Sequence, residues 1–286
     1  METAQFTLWG SQCQQMIAHC IATSGILTPY LEHGQILFKG SSTVSCLSKL
    51  VTGDTLRICG RWTKNGMKGA LHKCKGAHFM LYRQGKAQKV DDCLEQTMKG
   101  LGPETLFITG ANALDAFGHA ALLIGSPSGG GYGICMPYLY TEGIQTLILS
   151  SVLKLIPGDL TQIMGHVSMR RCGFSYGMAY SLAPIPGEII TEIEAIQFFA
   201  KVQAQIFAKG GFFGVQDSTA IQIQGERDQV ERVLTLVEYI KTLPEEPPVD
   251  HDSLDECNFP CSECGSHHSC GYSGRQNIFH KIGGKE

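Results

Sequence analysis

No apolar run in this 286-residue chain approaches the roughly 20 residues that a membrane-spanning helix needs, so no membrane partner is expected. A secretory pattern is missing as well. No basic region precedes the first apolar stretch, and Gln12, Gln14 and Gln15 interrupt it. These two absences predict a cytoplasmic protein. Charge is sparse: 17% of residues are Asp, Glu, Lys or Arg, against 43% hydrophobic, a balance that excludes a disordered chain and supplies a core. Neither sign dominates. A net charge of −3 and a pI near 6.4 argue against a dedicated nucleic-acid binder. The local balance differs. Residues 57–89 contain no acid and nine Lys or Arg, whereas residues 245–256 contain six acids and no Lys or Arg. The basic block reads either as a solvated hairpin or as a clamp for a phosphate, a nucleotide or CoA. No internal repeat is present.

Cysteine, in contrast, is plentiful. Eight of the 12 cysteines are scattered singly between Cys13 and Cys172, the pattern of reduced, buried thiols rather than of a disulfide framework. The other four crowd the C-terminus.

The length suits one large α/β domain plus a smaller unit. Residues 11–33 read as a helix followed by a short helical or turn segment. Gln35–Phe38 reads as a strand, and Lys39-Gly-Ser-Ser-Thr43 as a turn. Val44, Leu47, Leu50 and Val51 then recur at helical spacing. Strands are expected near 56–62 and 77–82, a short helix over 91–100, and strands at Thr105–Thr109 and Ala120–Gly125. A helix over 131–142 and a buried strand at Gln145–Ser150 follow. After the breaker cluster Pro184, Pro186 and Gly187, the pattern predicts a helix over 193–208, a Gly210-Gly211 turn, a strand at Ala220–Gln224 and a helix over 229–241. Alternating strands and helices predict a Rossmann-like, mostly parallel sheet with helices on both faces. The expected division is an α/β domain over 1–186, a small α/β subdomain over 187–243, and a polar linker with a Cys-rich tail over 244–286.

Three motifs share an order with a known group. Phe38-Lys-Gly-Ser-Ser-Thr-Val44 resembles the loop that opens a helix and holds a sugar phosphate in the NagB/RpiA/CoA-transferase-like superfamily. Ile108-Thr-Gly-Ala-Asn-Ala-Leu-Asp-Ala-Phe-Gly118 resembles the Gly-Ala-Asp turn of its ribose-5-phosphate isomerase and initiation-factor 2B-like branches. Gly129-Gly130-Gly131 falls where the isomerase has a Lys-Gly-rich loop. The resemblance spans roughly residues 20–155. It implies an isomerase- or transferase-like fold that binds a small anionic metabolite: phosphorylated, carboxylated or CoA-linked. The usual catalytic set is absent. Thr109 and Asn112 stand where that family has aspartates, Ser128 stands in place of the loop lysine, and Pro137 falls near the missing glutamate.

The candidate ligand residues are therefore Ser41, Ser42 and Thr43, Gly110, and Ser126, Ser128, Gly129, Gly130 and Gly131. Hydroxyls at a helix start donate to anions, and glycines let backbone N–H groups approach them. The same residues also suit an N-cap and a tight strand-to-helix turn. Asp115 and Asn112 are the candidate catalytic pair, as a base and a carbonyl-polarising amide. Asp115 also suits an Asx turn, and His119 a structural role. Glu188, Glu192 and Glu194 read as acids favoured in a helix's first turn. In the tail, Cys257, Cys261, Cys264 and Cys270 lie within 14 residues, a spacing that suits zinc or, as an alternative, an iron–sulfur cluster. A second reading of the whole chain is a non-catalytic metabolite sensor or interaction protein with a zinc- or redox-responsive tail. A homo-oligomer is the expected assembly.

Overall fold

The computed structural model describes residues 1–63, 66–69, 75–246 and 248–250. Strand β1 (Glu2–Trp9) leads into α1 (Gly10–Thr23) and the short α2 (Thr28–Glu32). Next come β2 (Gln35–Lys39), α3 (Ser42–Thr52), and two hairpins, β3 (Gly60–Thr63) with β4 (Gly66–Gly69) and β5 (Phe79–Arg83) with β6 (Lys86–Lys89). The chain continues through α4 (Leu94–Met98), β7 (Thr105–Thr109), β8 (Ala113–Leu114), β9 (Ala120–Ile124), α5 (Gly130–Thr141) and β10 (Gln145–Leu149). It ends with α6 (Leu160–His166), β11 (Ser181–Pro184), β12 (Glu188–Ile190), α7 (Glu192–Phe199), β13 (Val202–Gly210), β14 (Ser218–Gly225) and α8 (Arg227–Lys241). None of the described helices is long and apolar enough to cross a membrane.

The fold is mixed α/β, organised around a six-stranded sheet of order β12-β10-β7-β2-β5-β6. The first four strands run parallel, and β5 and β6 are antiparallel to their neighbours. The sheet is thus mixed, with parallel pairings in the majority. Every residue of β2 and of β7 is buried, as expected for strands covered on both faces. Successive side chains part to opposite sides. Ile36, Phe38, Leu106, Ile108, Leu147 and Leu149 join α1 and α3 in one core, while Leu37, Phe107 and Ile148 join α4 and α5 in another.

Two expectations need correction, and a third observation bears on residue 187. The apolar strand Ala120–Ile124 is not part of the parallel sheet. It folds back antiparallel on β8 and pairs with β11 on its other side, so the loop after it leaves a different sheet. The helix predicted over 193–208 stops at Phe199, and Ala200 is extended, with φ −143°. Beyond it Val202, Ala204 and Ile206 alternate inward with Gln203, Gln205 and Phe207, a period of two that makes a strand. The third concerns the boundary at residue 187. Strand β14 pairs residue by residue with β1, from Glu2 with Gly225 to Trp9 with Ser218. Ile221, Ile223, Val233 and Val237 belong to the same buried cluster as Ile36, Phe38 and Ile108. Residues 187–243 therefore share their core with the first 186. The tail cysteines Cys257, Cys261, Cys264 and Cys270 lie outside the described residues.

A shared core predicts a single cooperative transition. Phe38→Ala and Ile223→Ala should cost about 3–5 and 2–5 kcal/mol respectively. Each should move the denaturation midpoint seen by circular dichroism and by tryptophan fluorescence together. Two separable transitions would contradict the shared core.

Candidate functional site at the carboxyl edge of the sheet

Parallel strands deliver whatever follows them to one edge. Here β2 delivers Lys39-Gly40-Ser41, β7 delivers Gly110, β10 delivers Ser150-Ser151, and β12 delivers Thr191-Glu192. Ser41 is the N-cap of α3; its hydroxyl accepts the Val44 N–H at 3.2 Å. Gly110 packs directly on Ser41. A Cβ at residue 110 would lie 2.6 Å from Ser41 Oγ and 3.5 Å from the Leu149 carbonyl oxygen, so only glycine lets the ends of β2, β7 and β10 meet. Ser42 is half-buried beside the cap, and Thr43 is buried.

Lys39 ends β2 and is only 8% exposed. Among the described residues no carboxylate lies within ion-pair distance of its ammonium group, and no acceptor hydrogen-bonds it. Burial pushes its pKa down, opposed by the thiols of Cys59 and Cys135. Burial likewise drives the Cys135 thiol up to about 12, with Lys39 pulling the other way. His78 is the other close electrostatic partner. Burial lowers its pKa to about 3, and the Lys39 and Arg57 charges add to this, so the ring is neutral near pH 7. Its Nδ1 lies 3.0 Å from the Arg57 carbonyl oxygen; because a carbonyl can only accept, the proton sits on Nδ1 and Nε2 keeps a lone pair.

The loop around this lysine is held by Asp91. Its carboxylate pairs with Arg57 Nη2 at 2.9 Å and accepts the His78 main-chain N–H at 3.1 Å. Arg57 Nη1 in turn donates to Cys59 Sγ at 3.5 Å. Gly40 allows the close approach: a Cβ there would lie 2.1 Å from the Arg57 carbonyl oxygen and 2.7 Å from His78 Nδ1.

A second polar group is sealed beneath the same edge. Glu192 is fully buried, and its Oε2 accepts the Val152 N–H at 3.0 Å. Burial raises its pKa, opposed by hydrogen bonds from the Ser151 hydroxyl, the Val152 N–H and the Cys13 thiol. Its Oε1 has no partner among the described residues, and neither have Thr219 Oγ1 and Ser150 Oγ. The three acids after the breaker therefore differ. Glu194 closes a capping box on Thr191 at 2.8 Å, Glu188 is exposed, and Glu192 enters the core.

The candidate ligand residues partly converge on Lys39. Gly129 and Gly130 carry φ angles of 83° and 56°, which glycines adopt without strain, and the non-glycine Ser128 shares the left-handed region at 56°. Gly131 then abuts Phe79, whose ring lies 2.5 Å from where a Cβ would be, and Phe79 is the register partner of Lys39. Ser126 and Ser128 are exposed on this loop. The proposed catalytic pair sits elsewhere, in the β8–β9 hairpin. Asp115 Oδ1 accepts the N–H groups of Phe117 and His119, each at 2.9 Å; its Oδ2 accepts the Leu160 N–H at 3.0 Å and faces His119 Nδ1 at 2.8 Å. Burial alone would raise its pKa, but these bonds hold it well below the usual carboxylate range. Asn112 Oδ1 accepts the Leu123 N–H at 3.0 Å. Both side chains brace the hairpin.

Asp115, His119 and Asp159 do bring donor atoms within 4.8 Å of one another. Yet Asp115 is saturated, and Asp159 caps α6 through the Thr161 N–H at 2.8 Å and hydroxyl at 2.6 Å. The cluster explains itself without an ion. The basic segment lies largely in the two hairpins: Arg57 pairs with Asp91, and Lys86 and Lys89 are exposed. At the opposite edge of the sheet a cavity of about 270 Å³ opens between Tyr30, Thr146 and Glu188. No protein-family model matches the chain, and no curated protein matches it significantly.

Glu192 yields a pH prediction. A carboxyl with a raised pKa keeps its proton in the native state after the unfolded chain has released it. Stability is therefore retained below the ordinary value of 4.5 and falls as pH rises above it, by up to about 1.4 kcal/mol per pH unit. Glu192→Gln should flatten that decline, gaining on the parent protein between pH 5 and pH 8 in urea titrations. An unchanged pH slope would place Glu192 outside the buried, protonated state.

Proposed function

We propose that the carboxyl edge around Lys39 binds a small anionic metabolite: phosphorylated, carboxylated or CoA-linked. The observation that carries this reading is Lys39 itself, a buried amine without a carboxylate partner among the described residues. Burying an unpaired charge is costly, and an incoming anion would offset that cost. Ser41 and the first turn of α3 would add hydroxyl and dipole, and the turn at Ser128–Gly131 would add backbone N–H groups. The ordered resemblance of the 38–44, 108–118 and 129–131 motifs to the NagB/RpiA/CoA-transferase-like superfamily points to the same ligand class. In this reading Asp115 and Asn112 serve the hairpin, and any chemistry at this edge falls to Lys39, His78 and Cys59.

Two outcomes follow. Without ligand, Lys39→Met should equal or exceed the parent in stability, because an apolar side chain of similar length replaces a buried cation. A panel of sugar phosphates, nucleotides and CoA esters should contain at least one member that raises the melting temperature of the parent protein. At a concentration 100 times its Kd that ligand adds about 2.7 kcal/mol. Lys39→Met should abolish the shift. A panel with no effect, or an equal shift in the variant, would overturn the reading.

A further inference from the structure

Recognition of an anion does not require a buried amine. Surface lysines attract phosphates while remaining hydrated and charged. Lys39 is 8% exposed, it closes a fully buried strand, and its electrostatic neighbours are the His78 imidazole and the thiols of Cys59 and Cys135, with no carboxylate in ion-pair reach among the described residues. Such surroundings favour the neutral, nucleophilic form of the amine. Gly40 and Gly110 bring the neighbouring backbone tightly against this strand end, and Lys39 shares the Leu37 face of the sheet, where its register partner Phe79 abuts Gly131 in the first turn of α5. A nucleophile beside a helix start is a combination suited to a molecule with an anionic group at one end and a carbonyl at the other.

We propose that Lys39 forms an imine with the carbonyl carbon of its ligand, an aldehyde or ketone carrying a phosphate or carboxylate. This inference rests on the anion-binding reading above and names its substrate class. The Lys39 nitrogen lone pair attacks the carbonyl carbon; the nitrogen gives up one proton and the carbonyl oxygen takes one up, giving a neutral carbinolamine. Loss of that hydroxyl as water, with a second proton, leaves the C=N bond. In its protonated form the product is an iminium. Amine, carbonyl compound and one proton give iminium and one water, with no oxidant or reductant. The iminium carries the positive charge that the free amine avoids, and the ligand's own anion is its counter-charge.

The test uses the intact full-length protein with pyridoxal 5′-phosphate as phosphorylated aldehyde and pyridoxal as its counterpart lacking the phosphate. Each is trapped by borohydride, and the modified lysines are mapped by peptide mass spectrometry. Lys39 should be reduced to a secondary amine at least tenfold faster than any other lysine. Excess inorganic phosphate should protect it, and pyridoxal should label it at least tenfold more slowly. Lys39→Arg, confirmed as folded by circular dichroism, should lose the fast phase. Labelling of Lys39 no faster than exposed lysines such as Lys86 overturns the imine. If inorganic phosphate still raises the melting temperature in that case, the anion site stands without it. Fast labelling by both aldehydes alike, without phosphate protection, supports the reactive amine and overturns the anion site.

Discussion

Burial of β2 and β7 on both faces is the constraint on which the rest of this structure depends. All five residues of each strand are buried, so polar function is driven off the strands and onto their ends. The amide groups of the strands are consumed by pairing with β5 on one side and β10 on the other. What remains free to meet a ligand is the short polar connection leaving each strand. The one charged side chain inside the pair is the last residue of β2, and it inherits its neighbours' burial.

That inheritance sets the electrostatics. Lys39 loses water without gaining a carboxylate among the described residues, and the Asp91 carboxylate that holds the adjoining loop is spent on Arg57 and on the His78 and Phe79 main chain. The same economy holds nearby. Asp115, whose residue type and position suit a base, has every oxygen engaged. Glu192 stands in the first turn of α7 as expected, and it is also buried there with one oxygen unpartnered. Residue type alone does not tell these groups apart; the distribution of hydrogen bonds separates the committed groups from the uncommitted ones.

Much of the scaffold was legible from periodicity. The runs Gln35–Phe38, Thr105–Thr109 and Gln145–Ser150 and the apolar faces of α3 and α8 read correctly because local pattern and burial agree. Errors arose where pairing decides. Ala120–Ile124 is as apolar as a parallel core strand, and composition does not carry the direction of its partners β8 and β11. Strand β1 went unassigned because its partner lies more than 200 residues away, although Phe6 and Leu8 already alternate with polar residues. Val202–Ile206 was merged into the preceding helix because its alternation is short. The site was half legible. The Ser41, Gly110 and Gly129–Gly131 motifs were visible, but Lys39, one residue before the loop, was not singled out. Its signal was a lysine closing an otherwise apolar strand directly before glycine. The role of Asp115 depends on Leu160, 45 residues onward, and no local pattern reveals that.

The central claim is that Lys39 is a buried amine awaiting an anion. Its titration, followed by NMR of isotopically labelled lysine with Lys39→Arg for assignment, tests this most directly. The account predicts a midpoint below the ordinary 10.5 in the free protein and a rise when inorganic phosphate is added, because an anion favours the charged form. A midpoint at the ordinary value that phosphate leaves unmoved would contradict it.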